Sequence, residues 1–184
     1  HHETYQTWCI YGSETSSGVK SRGVYHFPAE SVFLTHEDLQ CSSLGNCRGG
    51  FYSETAADVI IKNRDTKYCA GMFIWTGIDY IGEPSPYFTK NAYYGQCDTA
   101  GIKKDSFYLY QAAWTNQPVL HLMPYWDFNE GQLIDVIVFS NLKEVELFLN
   151  GKPQGKKQIE KFEASWQVPY EEGEIKVVGI SEDG

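Results

Sequence analysis

Residues able to do chemistry fall at the ends of two apolar runs. In TWCIYGSETSSGVKSRGVYHF, residues 7–27, an apolar and aromatic run from Trp8 to Tyr11 breaks at Gly12, and a carboxylate, Glu14, follows at once. A second run, AGMFIWTG at 70–77, carries Trp75 near its end, and Asp79 and Glu83 come in the next loop. A carboxylate and an indole at adjacent strand ends suit a sugar. The carboxylate attacks or stabilises an oxocarbenium-like centre, and the flat indole packs on the apolar face of a pyranose. In parallel barrels, catalytic groups gather at these C-terminal strand ends. A plainer account fits the same spacing: Glu14 as a solvated loop acid or helix cap, Trp75 as core. Spacing alone leaves both readings open.

Other chemistries find less support. His1, His2 and Glu3 could be metal ligands but read better as a tag remnant or a helix end, while His26, His36 and His121 share no ligand spacing. No G-x-S-x-G is present, and no histidine is placed to complete a hydrolase triad. The five cysteines form neither a C-x-x-C pair nor a paired zinc pattern, so they read as buried free thiols, with a Cys41–Cys47 bridge as the alternative. Lys103-Lys104 and Lys156-Lys157 read as solvated faces, and Tyr93-Tyr94 and Tyr125, Trp126 and Phe128 as interdomain packing. The net charge is −9 with no basic cluster beyond two neighbours, which argues against a nucleic-acid or anionic-membrane partner. No apolar run approaches the roughly 20 residues of a membrane helix, so no membrane partner is expected.

Two textures position these residues. Up to about residue 116 the order is strand (8–12), loop (28–52), helix (53–68, with Ser53 as N-cap), strand (70–77), irregular loop, helix (103–114). That order belongs to parallel strands with crossover helices, an α/β arrangement. Two such units cannot close a barrel, so this half is expected to be the tail of a larger domain, with an exposed sheet edge open to self-association. In the second helix Phe107, Tyr110 and Trp114 are expected to share one face. From 117 to 184 the texture is all-β. Strands are expected at 133–140, 143–152, 164–170 and 174–180, with a possible further one in 118–124, and Asn150-Gly151 signals a tight turn. The alternation puts Val136, Val138, Val145, Leu147, Leu149, Trp166, Val168 and Val177 on the core face of an antiparallel, immunoglobulin-like sandwich.

YGSETSSGVKSRGVYHF, AGMFIWTGIDYIGEPSPY, DTAGIKKDSFYLYQAAW and EVELFLNGKPQG together resemble bacterial β-galactosidases of glycoside hydrolase family 2, in order along essentially the whole chain. The resemblance implies that residues 1–116 are the last part of a TIM-type (β/α)8 barrel and 117–184 the following immunoglobulin-like domain. It implies that Glu14 is the retaining nucleophile and that Trp75 lines the sugar pocket. Asp79 and Glu83 are implied to lie near the sugar hydroxyls, and Arg22 and Tyr25 match the loop after the nucleophile. The substrate implied is a β-galactoside, with no organic cofactor. The family's acid/base lies in an Asn-Glu pair upstream of the nucleophile. None precedes Glu14 here, and Asn129-Glu130 falls in the all-β half. The chain is therefore expected to be a fragment, inactive by itself. A β-glucuronidase or β-mannosidase of the same family is the alternative substrate class, and a non-catalytic β-sandwich module the alternative function.

Overall fold

The structure, a computed structural model, describes residues 11–27, 41–45, 54–85 and 89–181, with residues 11–14 in backbone only. The chain divides into two compact units, 1–107 and 108–184. This division falls within the second helix, whereas the sequence places the boundary at 116/117.

In the first unit, β1 (Tyr11–Thr15) pairs in parallel with β2 (Gly71–Ile74), in the register Tyr11 to Gly71 and Thr15 to Ile74. The strand expected to stop at Gly12 runs on past Glu14, while its expected start at 8–10 lies outside the described residues. Helix α1 (Ala56–Asp65) makes the crossover and packs against both strands. It buries Ala56, Ala57, Val59 and Ile60, spaced along one helical face. Its N-cap is Thr55, whose hydroxyl accepts from the Asp58 amide at 3.1 Å; Ser53, the expected cap, lies outside the described residues. The segment expected to be irregular contains a short hairpin, β3 (Tyr80–Ile81) with β4 (Asn91–Ala92).

Helix α2 (Asp105–Trp114) buries Ser106, Leu109 and Tyr110, a set at i, i+3 and i+4. This corrects the expected face: Trp114 is 53% exposed, although its ring meets that of buried Tyr110 with centroids 4.9 Å apart.

The second unit holds two three-stranded antiparallel sheets. One orders β5 (Leu120–Met123), β6 (Leu133–Ser140) and β9 (Glu163–Pro169); the other orders β10 (Ile175–Ile180), β7 (Glu144–Leu149) and β8 (Lys152–Gln158). Val136, Val138, Val145, Leu147, Leu149, Trp166 and Val168 are all buried, as alternation requires; Val177 is half-buried. The far face of β6 is buried too, at Ile137 and Phe139. Beside it on β5, His121 pairs with Phe139 and stacks on Tyr108 of α2 with centroids 3.9 Å apart. The Asn150-Gly151 turn has φ of 50° and 74°, the two positive values of a type I′ hairpin. β8 was not foreseen. It is a fully exposed edge strand carrying Lys, Pro153 and a register irregularity opposite Leu147/Phe148, features that protect an edge from pairing with another chain.

No helix of the described residues is long and apolar enough to cross a membrane.

Candidate active site

Because β1 and β2 run in parallel, their C-terminal ends lie side by side. The Trp75 amide donates to the Thr15 carbonyl at 2.8 Å, and the Thr15 hydroxyl donates to the Phe73 carbonyl at 3.0 Å. The backbone of Glu14 is therefore one residue from a bond to the backbone of Trp75. β1 ends at Thr15, and Ser16 after it takes a positive φ of 58°.

Trp75 is 37% exposed, so its indole is partly available to a ligand rather than sealed in core. Tyr80 meets it edge-on, with centroids 6.1 Å apart and planes at 89°. The Tyr80 hydroxyl donates to Glu83 Oε2. Burial first, and then the Glu83 carboxylate, push the Tyr80 phenol up to about 12, against a hydrogen bond with the Trp75 side chain that lowers it. Glu83 is exposed and held at a positive φ of 44°. Trp75, Tyr80 and Glu83 thus form one connected surface. Tyr80 was missed by sequence reasoning, although it lies in the loop that supplied both Asp79 and Glu83.

Asp79 is placed differently. Its side chain is 1% exposed, which leaves it no surface to offer a ligand. Asp79 Oδ1 accepts from Lys104 Nζ and from the Gly95 amide, each at 2.7 Å. Lys104, expected on a solvated face, is also 1% exposed, while its neighbour Lys103 is exposed as expected. Lys104 Nζ donates further to the Lys20 carbonyl at 2.5 Å. Burial holds the Lys104 ammonium below and the Asp79 carboxyl above their ordinary ranges, and the pairing works against both shifts.

Beside the pair, Gln96 Nε2 donates to the Thr76 and Tyr94 carbonyls at 3.3 Å, and Ser106 Oγ donates to Gln96 Oε1 at 2.7 Å. Gly95 is required there, because a Cβ would fall 2.2 Å from the Asp79 amide nitrogen.

Arg22 and Tyr25 fasten the segment after β1. Arg22 Nε donates to Asp98 Oδ2 at 2.6 Å, and the Tyr25 hydroxyl donates to Asp105 Oδ2 at 2.6 Å. Cys41 is a buried free thiol 3.2 Å from Ser21 Oγ, and burial pushes its pKa up; Cys47 lies outside the described residues. Among the described residues, no group of three or more His, Cys, Asp or Glu side chains is placed to hold a metal ion.

Comparison with known proteins gives this geometry a family. Residues 131–184 match a family described as "Domain of unknown function (DUF4982)". The chain is 38% identical over 183 residues to the β-galactosidase BoGH2A of Bacteroides ovatus, covering 90% of this chain and 21% of that protein. It is 42% identical over 130 residues to a putative β-glucuronidase of Formosa agariphila, covering 63% of this chain and 12% of that protein. The crystal structure of a β-glycosidase from Bacteroides vulgatus superposes with a TM-score of 0.81 at 29% identity, covering 98% of this chain and 27% of that one. A glycosyl hydrolase family 2 member from Bacteroides cellulosilyticus gives a TM-score of 0.60 at 32% identity, covering 70% of this chain and 19% of that one. The chain spans about a fifth of the length of the β-galactosidase it matches. By sequence and by fold, the chain belongs to glycoside hydrolase family 2.

Proposed function

We propose that this chain supplies the nucleophile end and one sugar-facing wall of a retaining β-galactosidase whose barrel is completed by the rest of the whole protein. Glu14 attacks the anomeric carbon as the bond to the leaving oxygen breaks. That oxygen takes its proton from an acid outside this chain. Water then cleaves the glycosyl ester, and the carboxylate is regenerated. Trp75, braced by Tyr80, packs on the pyranose, and Glu83 accepts from its hydroxyls. Arg22 and Tyr25 hold the segment after β1 in place. The observation that carries this reading is the Trp75–Thr15 backbone bond, which brings Glu14 and the exposed indole to the same end of two parallel strands. The 38% identity to a β-galactosidase favours the galactoside. A β-glucuronide is the second reading, favoured by the 42% identity to a putative β-glucuronidase over a shorter stretch.

The test is turnover of nitrophenyl β-galactoside and nitrophenyl β-glucuronide by the whole protein. Galactoside turnover lost in Glu14→Gln supports the first reading, and glucuronide turnover alone supports the second. Turnover of neither overturns both.

A further inference from the structure

Lys104 reaches from just before α2 into the space between the segment that follows β1 and the loop that follows β2. On one side its ammonium takes the Lys20 carbonyl, six residues after Glu14. On the other it takes Asp79, four residues after Trp75. Its own amide donates to the Gln96 carbonyl at 2.9 Å. Gln96 returns its backbone amide to the Thr76 carbonyl at 3.2 Å, and the Thr76 amide donates to the Tyr94 carbonyl at 3.4 Å. The peptide next to Trp75 is therefore gripped by the 94–96 strip, and that strip is gripped by Asp79 through the Gly95 amide. Two buried cations close the set: Lys104, and Lys20, whose ammonium donates to the Tyr94 carbonyl at 2.8 Å.

A buried ion pair is a poor source of stability, because desolvating both charges offsets most of their attraction. A pair with no exposed surface, whose hydrogen bonds run to the backbones of two site-bearing segments, is better explained by the geometry it fixes. Resting on the active-site reading above, we propose that the Lys104–Asp79 pair is a positioning device that sets the placement of Trp75 relative to the end of β1, and so the fit of the sugar to the nucleophile. Neither residue touches the sugar. Each acts through Trp75.

A double-mutant comparison in the whole protein tests this. Asp79→Asn with Lys104→Met removes both charges of the pair together and keeps an acceptor for the Gly95 amide, while the buried Lys20 ammonium retains its bonds to the Gly18 and Tyr94 carbonyls. Asp79→Asn alone is measured beside it, so that a folding failure of the double variant still leaves a reading. Melting curves establish that each variant is folded at the assay temperature. The expected result is a fall in kcat/KM of roughly 10- to 100-fold, the scale of about an ångström of misplacement. In a Trp75→Ala background the same changes are expected to cost less than about twofold more, because residues acting through one another are not additive. Unchanged kcat/KM in the variants, or equal losses with and without Trp75, would overturn the proposal. A wild-type protein inert towards every β-glycoside overturns the active-site reading itself, and this inference with it; that outcome is visible before any variant is made.

Discussion

The amide of Trp75 donates to the carbonyl of Thr15 at 2.8 Å, across the ends of two parallel strands. This bond places the residue after a carboxylate beside an indole that keeps 37% of its surface exposed. If that exposed indole is a sugar platform, Trp75→Ala raises KM for the glycoside strongly and Trp75→Phe retains part of the affinity, since a phenyl ring still offers a flat apolar face. Steady-state kinetics of the whole protein decide it. A KM unchanged in a folded Trp75→Ala protein would assign the indole to packing alone.

Tyr80 links that indole to Glu83. Tyr80→Phe keeps the edge-on ring contact and removes the bond to Glu83, so KM is expected to rise less than in Trp75→Ala. Glu83→Gln, which still offers an amide oxygen to the phenol, is expected to fall between wild type and Tyr80→Phe. The reverse order would show that Glu83 acts on the sugar without help from Tyr80.

The Arg22–Asp98 pair carries a pH dependence. Burial alone raises the Asp98 carboxyl, but hydrogen bonds from Arg22 and from the Ile102 and Ala100 amides outweigh it, and the net shift is downward. A carboxyl with a depressed folded pKa binds fewer protons folded than unfolded. Its contribution is present above the unfolded value, about 3.9, and is lost as pH falls through the folded value. Melting temperature should therefore fall in acid below about pH 4, and Asp98→Asn should flatten that part of the profile. Identical acid slopes in the two proteins would remove the pair from the account.

In the second unit, Leu147 is fully buried on β7, and Lys156 is exposed on β8 opposite Glu146. Leu147→Ala is expected to cost about 2–5 kcal/mol by leaving a cavity. Lys156→Ala should stay within about 0.5 kcal/mol. Denaturant titration separates the two, and equal costs would mean that the register is misplaced.

Much of this second unit can be read from sequence because the pleat imposes a period of two. Val145, Leu147 and Leu149 alternate with Glu144 and Glu146, and no other arrangement buries one set while wetting the other. β8 escapes the same reading, since KPQGKKQ has no apolar residue to alternate and owes its strand state to hydrogen bonds with β7. Glu14 and Trp75 were visible as residue types at strand ends and, more sharply, through motif resemblance. The burial of Lys104 was not. A lysine beside another lysine reads as solvated, and its partner lies 25 residues away across a turn that only the fold closes. Asp79 was misread for the same reason: an acid in a loop near an indole looks available until its partner is known.

On the proposed function, Glu14 forms a covalent bond to the sugar. That bond is checked by incubating the whole protein with a 2-fluoro-galactosyl inactivator, digesting it, and mapping the adduct by mass spectrometry. The expected product is one 2-fluoro-galactosyl ester, on Glu14, formed with loss of activity and absent in Glu14→Gln. An adduct on another carboxylate, or an adduct formed equally in the Glu14→Gln protein, would overturn it.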